Sequence, residues 1–261
     1  MKSNFYKFIH ISDIHLGREI TKKYNFLDST QETRVRRSPV KVLDKLVSLA
    51  EEEEVDFILL AGDTFDDDMP SSDNYFKKFK NFLNKLNELN IDIYIVLGNH
   101  DVDSDLLKSF ESKKLPDNTY VFPAKNAHTF IIDNFKVAIH GQSYPKKEVT
   151  EKLVEKFPKP KSGYYNIGLV HTSYENTYKL DDTHNYAPTN KAMLDKSDYN
   201  YWAFGHIHKR EILIDDPYIA VYPGNPQGLS TKPSETCNDN LEGKGCYVVE
   251  VNNFDAELTF K

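Results

Sequence analysis

The sequence predicts an α/β fold built from two packed sheets, and two observations lead to this expectation. In the first half, apolar runs of strand length alternate with segments of helical periodicity, which is typical of a parallel sheet covered by helices. After Asp117, short strands separated by turn residues dominate, which indicates a second sheet packed on the first. The length of 261 residues allows one large α/β domain, with or without a small appendage, at about 150 residues per domain.

The first half contains strands and helices in alternation. Residues 5–11 predict a strand, and the polar, charged residues 17–37 predict a long loop. Ser38 and Pro39 form a helix start, with the serine at the N-cap, and apolar residues then recur at helical spacing as far as Ala50. The remaining elements of this half are a strand at 55–61, a helix at 71–89 and a strand at 91–97.

The second half predicts a strand-rich region with few helices. One helix is expected at residues 146–157, and the polar, turn-rich residues 230–245 predict a mobile loop. Short apolar runs predict strands at 120–122, 129–133, 136–139, 167–171, 201–204, 218–222 and 247–251.

Composition excludes several classes of protein. Apolar residues make up 39% and charged residues 28% of the chain, which excludes a disordered chain, a collagen and a coiled coil. No apolar run approaches the length of a membrane span, so we expect no membrane contact. Cys237 and Cys246 are too few for a disulfide framework, which favours a reducing cytoplasm. The net charge of −7 argues against indiscriminate polyanion binding, although bound divalent cations would offset it locally.

Residue types that ligate metals follow five of the predicted strands. Because strand carboxyl ends gather at one edge of an α/β sheet, we expect these side chains to share one site. Residues two apart in an extended segment point the same way, which lets each Asp-x-His or His-x-His pair face one ion. The residues are Asp13 and His15, Asp63 and Asp66, Asn99 and His100, His171, and His206 and His208.

The chemistry of this set indicates transition metals. Carboxylate, carboxamide and imidazole ligands suit manganese, iron or zinc rather than calcium. The candidate ligands exceed what one ion uses, so two ions about 3.5–4 Å apart that share a bridging aspartate explain the set better. A lone histidine, or a lone aspartate after a strand, is more often structural. We therefore interpret Asp101 as a turn or cap residue and the other histidines as structural: His10, His128, His140 and His184.

The motifs occur in an order that resembles one superfamily. Asp-x-His, Gly-Asp-x-x-Asp, Gly-Asn-His-Asp, a single His and Gly-His-x-His follow one another along the chain, as in the calcineurin-like metallophosphoesterases. The resemblance implies a four-layer α-β-β-α sandwich that carries two divalent transition-metal ions. Two such ions activate water for attack on phosphorus and neutralise phosphate oxygens, so the resemblance also implies a phosphoester hydrolase.

The resemblance further implies a role for each site residue. One ion would be held by Asp13, His15, Asp63 and His208, and the other by Asp63, Asn99, His171 and His206, with Asp63 bridging. His100 would face the scissile phosphate and either stabilise the transition state or protonate the leaving group. Asp66 would orient the imidazole of His100.

Segments outside the metal motifs resemble the SbcD-type DNA repair exonucleases and their YhaO-type bacterial branch. These segments are GHIHKREIL, VYPGNPQG and KGCYVVEV, and the arginines that clamp phosphomonoesters in serine/threonine phosphatases are absent beside Asp66 and Gly98. The resemblance implies a manganese-dependent DNA nuclease, either an exonuclease or an endonuclease. It also implies an SMC-like (SbcC-type) ATPase as partner, although we expect residues 1–261 to form the nuclease domain without a DNA-capping domain or an ATPase-docking segment.

Three basic residues next to the metal motifs are the expected phosphate contacts: Arg18, Lys209 and Arg210. Two alternatives to the nuclease stay open. The same site would serve a small-molecule phosphodiesterase or nucleotide hydrolase, which the missing capping domain favours. A non-catalytic scaffold of the same fold is the third hypothesis, and the filled set of ligand positions argues against it.

Overall fold

Two six-stranded sheets form the centre of the structure, a computed structural model that describes residues 5–18, 29–67, 72–102, 114–175, 185–228 and 243–261. The strands in chain order are β1 (Phe5–Ile11), β2 (Phe57–Ala61), β3 (Asp92–Val96), β4 (Thr119–Val121), β5 (His128–Ile132), β6 (Val137–Gly141), β7 (Tyr165–His171), β8 (Tyr201–Gly205), β9 (Glu211–Ile214), β10 (Ile219–Tyr222), β11 (Tyr247–Asn252) and β12 (Asp255–Phe260). The first sheet has the order β12-β11-β1-β2-β3-β4, and the second has the order β5-β6-β7-β8-β10-β9.

Both sheets have parallel central strands and antiparallel edges. In the first sheet β1 to β4 are parallel neighbours, and β11 and β12 extend the edge in antiparallel pairs. In the second sheet β6, β7, β8 and β10 are parallel, and β5 and β9 are antiparallel edge strands. His171 at the end of β7 hydrogen-bonds through Nδ1 to the carbonyl of Ala61 at the end of β2, at 2.9 Å. The carboxyl ends of both sets of central strands therefore lie together.

Helices cover the outer faces of both sheets. α1 (Ser29–Glu52) and α2 (Ser72–Glu88) pack on the first sheet through one apolar cluster. α3 (Lys191–Ser197) and a 3-10 helix (Leu153–Lys156) cover the second sheet, where they pack around the buried Trp202. The layers follow the order α-β-β-α, which confirms the expected four-layer sandwich.

Strand β2 shows how one strand contributes to two cores. All five of its residues are buried. Ile58 and Leu60 belong to the cluster under the helices, whereas Phe57 and Leu59 belong to the cluster between the sheets. A strand that is buried on both faces has a continuous apolar sequence rather than an alternating one. This is why the apolar run predicted a strand at 55–61, although Asp56 interrupts the run and the strand begins at Phe57.

The long loop expected at residues 17–37 is wrong in its second part, because residues 29–37 belong to α1. The helix runs through Pro39 instead of starting beside it. The segment STQETRVRRS contains residues of good helix propensity but no apolar stripe. Its sequence therefore gave no periodic signal. Residues 19–28 lie outside the described part of the chain.

The helix expected at residues 146–157 is also wrong, apart from the 3-10 turn at Leu153–Lys156. The Ala187 amide donates a hydrogen bond to the carbonyl of Val149 at 2.6 Å. Val149 is buried in an apolar cluster with Tyr144 and Ala187. These tertiary contacts fix the segment in a non-helical path, against its local sequence pattern.

Three short elements, β9, β12 and α3, gave no sequence signal that we recognised. β12 lies at a sheet edge and alternates exposed with half-buried residues. α3 has seven residues, and the side chain of Asn190 caps it by accepting a hydrogen bond from the Met193 amide at 3.1 Å. Short edge elements bury few apolar side chains, so a hydrophobic pattern does not reveal them.

Two further expectations concern the thiols and membranes. Cys246 is buried as a free thiol, and burial raises its pKa to about 12. Cys237 and most of the loop expected at residues 230–245 lie outside the described residues.

Among the helices that the structure describes, none is both long enough and apolar enough to cross a membrane.

The core between the sheets predicts a sharp contrast within β1. Phe8 is fully buried and stacks on Phe57 with ring centroids 5.1 Å apart, whereas Phe5 is 45% exposed. Phe8→Ala should lower the free energy of unfolding by about 3–5 kcal/mol, because it removes a large buried ring. Phe5→Ala should change it by less than about 1 kcal/mol. Urea unfolding followed by circular dichroism measures both, and equal losses would contradict this assignment of the core.

Candidate metal centre

The loops that follow five strands converge at the shared edge of the two sheets. The structure brings together every residue that the sequence placed in the metal and catalytic set. Strands β1, β2 and β3 of the first sheet and β7 and β8 of the second carry them. They are Asp13, His15, Asp63, Asp66, Asn99, His100, His171, His206 and His208.

Four of these residues have a positive φ angle, which residues other than glycine rarely adopt. The φ angles are 54° for Asp13, 49° for His15, 50° for Asp63 and 103° for His206. Each such residue costs about 1–3 kcal/mol and persists only where the surrounding structure imposes it. Backbone hydrogen bonds impose it here: the Asp13 and His15 amides donate to the carbonyls of Gly62 and Asp63, both at 3.0 Å. Local strain of this kind is concentrated at functional sites.

The carboxylate of Asp63 lies between imidazoles that come from different sheets. Its Oδ2 atom is 3.3 Å from Nε2 of His171 and 3.7 Å from Nε2 of His15. Its Oδ1 atom accepts a hydrogen bond from the backbone amide of His100 at 3.0 Å. The backbone therefore fixes Oδ1, whereas Oδ2 faces the imidazoles of His15 and His171.

Three groups of donor atoms lie around Asp63, and the third consists of His15, Asp63 and His100. In the first, Nε2 of His15 lies 3.1 Å from Nε2 of His208, which lies 3.7 Å from Oδ1 of Asp13. The second contains Asp63, His171 and His206, whose donor atoms lie within 4.8 Å of one another.

The Oδ1 atom of Asn99 is 3.1 Å from Nε2 of His171 and extends this second group. Donors bound to one transition metal through bonds of about 2.0–2.2 Å lie roughly 3–3.5 Å apart. The donor chemistry and most of these separations therefore fit two transition-metal ions better than one.

Buried charges dominate the electrostatics of the site. Burial raises the pKa of the Asp13 carboxyl, and the nearby Asp63 carboxylate raises it further against the opposing effect of His171. Burial also opposes ionisation of Asp63, but the imidazoles of His171, His100 and His15 together outweigh it and hold the pKa of Asp63 well below its usual value. In turn, Asp63 raises the pKa of His171 to about 9 although burial acts in the opposite direction. The Asp63 carboxylate thus holds a proton on the neighbouring His171 imidazole, and a cation that binds there would displace that proton.

The expected pairing of Asp66 with His100 is replaced by a different arrangement. Oδ2 of Asp66 lies 3.0 Å from Nδ1 of His15 and 3.3 Å from the Arg18 guanidinium. Nδ1 of His100 instead lies 3.3 Å from a carboxylate oxygen of Asp67, in a geometry that makes no hydrogen bond. The Lys147 ammonium contacts the same Asp67 oxygen. The path of the loop after β2 turns the second aspartate of the run, rather than the first, towards His100.

Asp101, which the sequence indicated to be a turn residue, ties two loops of the site together. Its carboxylate accepts hydrogen bonds from the amides of Phe65 and Gly98, both at 2.9 Å. Gly98 must lack a side chain, because a Cβ atom there would lie 2.3 Å from Oδ1 of Asp63. The turn interpretation was correct, and the contacts add a structural role in holding Asp63.

The expected phosphate contacts differ in their placement. Arg18 lies beside the centre through its ion pair with Asp66. Lys209 is exposed. The guanidinium of Arg210 lies over the ring of Phe260, 4.0 Å from its centroid. Of the three, Arg18 therefore contacts a residue of the site.

Two of the remaining histidines, His10 and His140, follow the structural interpretation, and His128 is exposed at the start of β5 with its ring against that of Phe130. His10 is fully buried and hydrogen-bonds to the Tyr201 hydroxyl at 3.0 Å and the Phe204 carbonyl at 3.1 Å. Burial lowers its pKa to about 3, so it is neutral. His140 is also buried, and its two ring nitrogens hydrogen-bond to the side chains of Thr129 and Asn166. His184 lies outside the described residues.

The sandwich and the clustered aspartate and histidine side chains at its edge define a metallophosphoesterase. Residues 6–210 match the family of calcineurin-like phosphoesterases, and the chain belongs to that family. This confirms the superfamily that the motifs resemble.

Two curated relatives are similar over almost the whole chain. The uncharacterized metallophosphoesterase YhaO of Bacillus subtilis is 31% identical over 259 residues, which cover 97% of this chain and 59% of the relative. The DNA double-strand break repair protein Mre11 of Methanocaldococcus jannaschii is 27% identical over 262 residues, which cover 97% of this chain and 64% of the relative. The chain thus spans about three fifths of the length of these relatives.

A solved structure shares the fold. GAP50, the anchor in the inner membrane complex of Plasmodium, aligns with a TM-score of 0.53 and 15% identity, over 98% of this chain and 84% of the other. At this level of identity the similarity concerns the fold alone.

The position of Asp63 leads to a prediction about metal binding. Asp63→Ala should weaken the binding of two divalent ions together, because one carboxylate serves both groups of donors. Calorimetric titration with Mn²⁺ measures stoichiometry and affinity. Asp133→Ala, which removes a carboxylate that is 76% exposed, is the control and should bind as the wild type does. Normal binding of even one ion by Asp63→Ala would exclude the bridging role.

Proposed function

We propose that this chain is a two-metal phosphodiesterase whose substrate is DNA. The observation that carries the proposal is the Asp63 Oδ2 atom, which faces imidazoles from both sheets. We assign one ion to Asp13, His15, Asp63 and His208, and the other to Asp63, Asn99, His171 and His206. Manganese is the proposed metal because the resemblance to the SbcD-type nucleases implies it, and nitrogen and oxygen donors without sulfur suit it as they suit iron and zinc.

The protein's own part in the reaction is to hold these donors and to place His100. When bound at such a pair of sites, divalent ions lower the pKa of water and neutralise phosphate oxygens. The hydrogen bond from the His100 amide to Asp63 fixes the imidazole beside the centre. Burial opposes charge on this imidazole, but without bound ions the contact with Asp67 and the charge of Asp63 outweigh it and raise the pKa of His100 to about 9. We assign the imidazole the role of donating a hydrogen bond or a proton to a phosphate oxygen or to the leaving group.

The choice of DNA rests on the relatives. Similarity to the archaeal Mre11 protein extends over 97% of this chain, well beyond the short metal motifs. Arg18 pairs with Asp66 beside the centre, and we assign it a contact with a phosphate that flanks the scissile one, for which it would share or exchange this ion pair. The restriction to residues 1–261 as one nuclease domain, an SMC-like ATPase partner and a cytoplasmic location stay predictions.

The net charge of −7 favours a second candidate, a phosphodiesterase of small molecules. The 33 lysines and arginines are outnumbered by 40 acidic residues, so the chain as a whole does not attract a run of phosphates, and a small diester needs no such run. A non-catalytic scaffold is the least supported hypothesis. GAP50 is described as an anchor and shares the fold, but the clustered donors in this chain would have no purpose in a scaffold.

His100 allows catalysis to be separated from metal binding. His100→Ala should retain both ions and lose about 10²–10⁴ in rate, because it removes a group that acts on the transition state. Asp67→Asn should retain the ions and lose less, whereas Asp66→Asn should weaken metal binding through its contact with His15. Mn²⁺ titration combined with phosphodiester hydrolysis measures both properties. A His100→Ala protein that failed to bind Mn²⁺ would identify His100 as a ligand instead.

The substrate is tested by direct comparison in Mn²⁺ at low salt. We expect cleavage of single-stranded or duplex DNA in preference to cyclic nucleotides and an aryl phosphodiester. Binding to DNA should be weak with a shallow salt dependence, because each neutralised phosphate contributes a slope of only about −0.9 on duplex DNA and few contacts are available. Asp63→Ala, purified in parallel, excludes contaminating nucleases. Efficient turnover of the small diesters with DNA left intact would favour the second candidate.

A further inference from the structure

Tyr144 has a buried hydroxyl beside the metal centre. The side chain is fully buried, and the hydroxyl makes no hydrogen bond with the described residues. The backbone amide of Tyr144 donates to the Leu97 carbonyl at 2.9 Å, which places the residue next to the loop that carries Asn99. Its ring packs edge-on against the imidazole of His171, with centroids 5.5 Å apart.

The hydroxyl lies in the electrostatic field of the centre. Burial raises the pKa of the Tyr144 phenol well above its usual value, and the charges of Asp63 and Asp13 raise it further. The neighbouring Tyr222 hydroxyl donates to the Thr172 carbonyl at 2.7 Å, so its proton is already used. A donor therefore remains on a ring that packs against His171.

Packing alone does not account for a tyrosine at this position. A phenylalanine would fill the same apolar cluster with Val149 and Ala187. A buried hydroxyl without a partner costs free energy, because it loses its hydrogen bonds to water. Buried polar groups in native proteins almost always have a partner, and at Tyr144, whose ring packs against His171 of the centre, a molecule bound at the centre can supply it.

We propose that Tyr144 is a positioning residue for the ion at Asp63, His171 and His206, and that its hydroxyl donates a hydrogen bond to a water molecule bound to that ion. The inference rests on the proposed function, because it requires the ion, and it extends that function to a residue that is not itself a ligand. Groups that orient metal ligands typically change metal affinity or activity by about 10–100-fold when removed.

The test is Mn²⁺ titration of chelator-treated Tyr144→Phe protein, combined with thermal unfolding of the metal-free form. We expect one of the two Mn²⁺ affinities to fall by about 10–100-fold and the other to stay unchanged. The unfolding midpoint of the metal-free variant should equal or exceed that of the wild type, because the substitution removes a buried hydroxyl without a partner. A merely structural role would not weaken one ion at constant stability.

Tyr6 supplies a matched control. It is also fully buried with a hydroxyl that lacks a partner among the described residues, but it lies in the core between the sheets, against Phe57 and Tyr165. Tyr6→Phe makes the same chemical change away from the centre. Its metal-free unfolding midpoint should also equal or exceed that of the wild type, with both Mn²⁺ affinities unchanged.

Two results would overturn the role of Tyr144. One is a Tyr144→Phe protein with wild-type affinity for both ions. The other is a metal-free Tyr144→Phe protein that unfolds at a clearly lower temperature than the wild type, which would give the hydroxyl a structural role. Failure of the wild-type protein to bind Mn²⁺ would instead overturn the proposed function, so the two failures are distinguishable.

Discussion

A single buried carboxylate, that of Asp63, is the constraint on which the rest of the centre depends. Its Oδ2 atom lies within 3.7 Å of imidazoles from both sheets, so the carboxyl ends of the two sheets must stay in contact. His171 maintains this contact by bonding to the Ala61 carbonyl through Nδ1 while its Nε2 faces Asp63. Gly98 maintains it by leaving the space that a Cβ atom would occupy. The geometry of the site therefore requires the same contact between the sheets that their packing produces.

Backbone strain and buried charge at the centre lower the free energy of unfolding, and apolar burial in the sandwich offsets this loss. Asp13, His15 and Asp63 each have a left-handed backbone that costs about 1–3 kcal/mol. Buried carboxylates add a desolvation cost. The core between the sheets, where Phe8 stacks on Phe57, supplies the apolar burial that offsets both. Cations that bind the folded site and not the unfolded chain would stabilise the protein further.

The sequence predicted the central strands and the clustered residues because both depend on local pattern: a continuous apolar run with polar residues at its end. It failed for residues 29–37, whose helix has no apolar stripe. It could not select Asp67 over Asp66, because consecutive aspartates look alike and the path of the loop decides which one turns to His100. Tyr144 gave no signal, since its contact with His171 arises from tertiary packing rather than from spacing.

Under the proposed function, the recognition of phosphate falls chiefly to the ions. The chain carries a net charge of −7, and basic side chains around the centre pair with the protein's own groups: Arg18 with Asp66, and Lys147 with Asp67. Two divalent ions would bring four positive charges to the site, so the ions and an anionic substrate favour each other's binding. This coupling explains how an acidic chain acts on a phosphodiester. It also implies that any preference for long DNA over a small diester depends on positive charge outside the centre, in surrounding loops or in a partner.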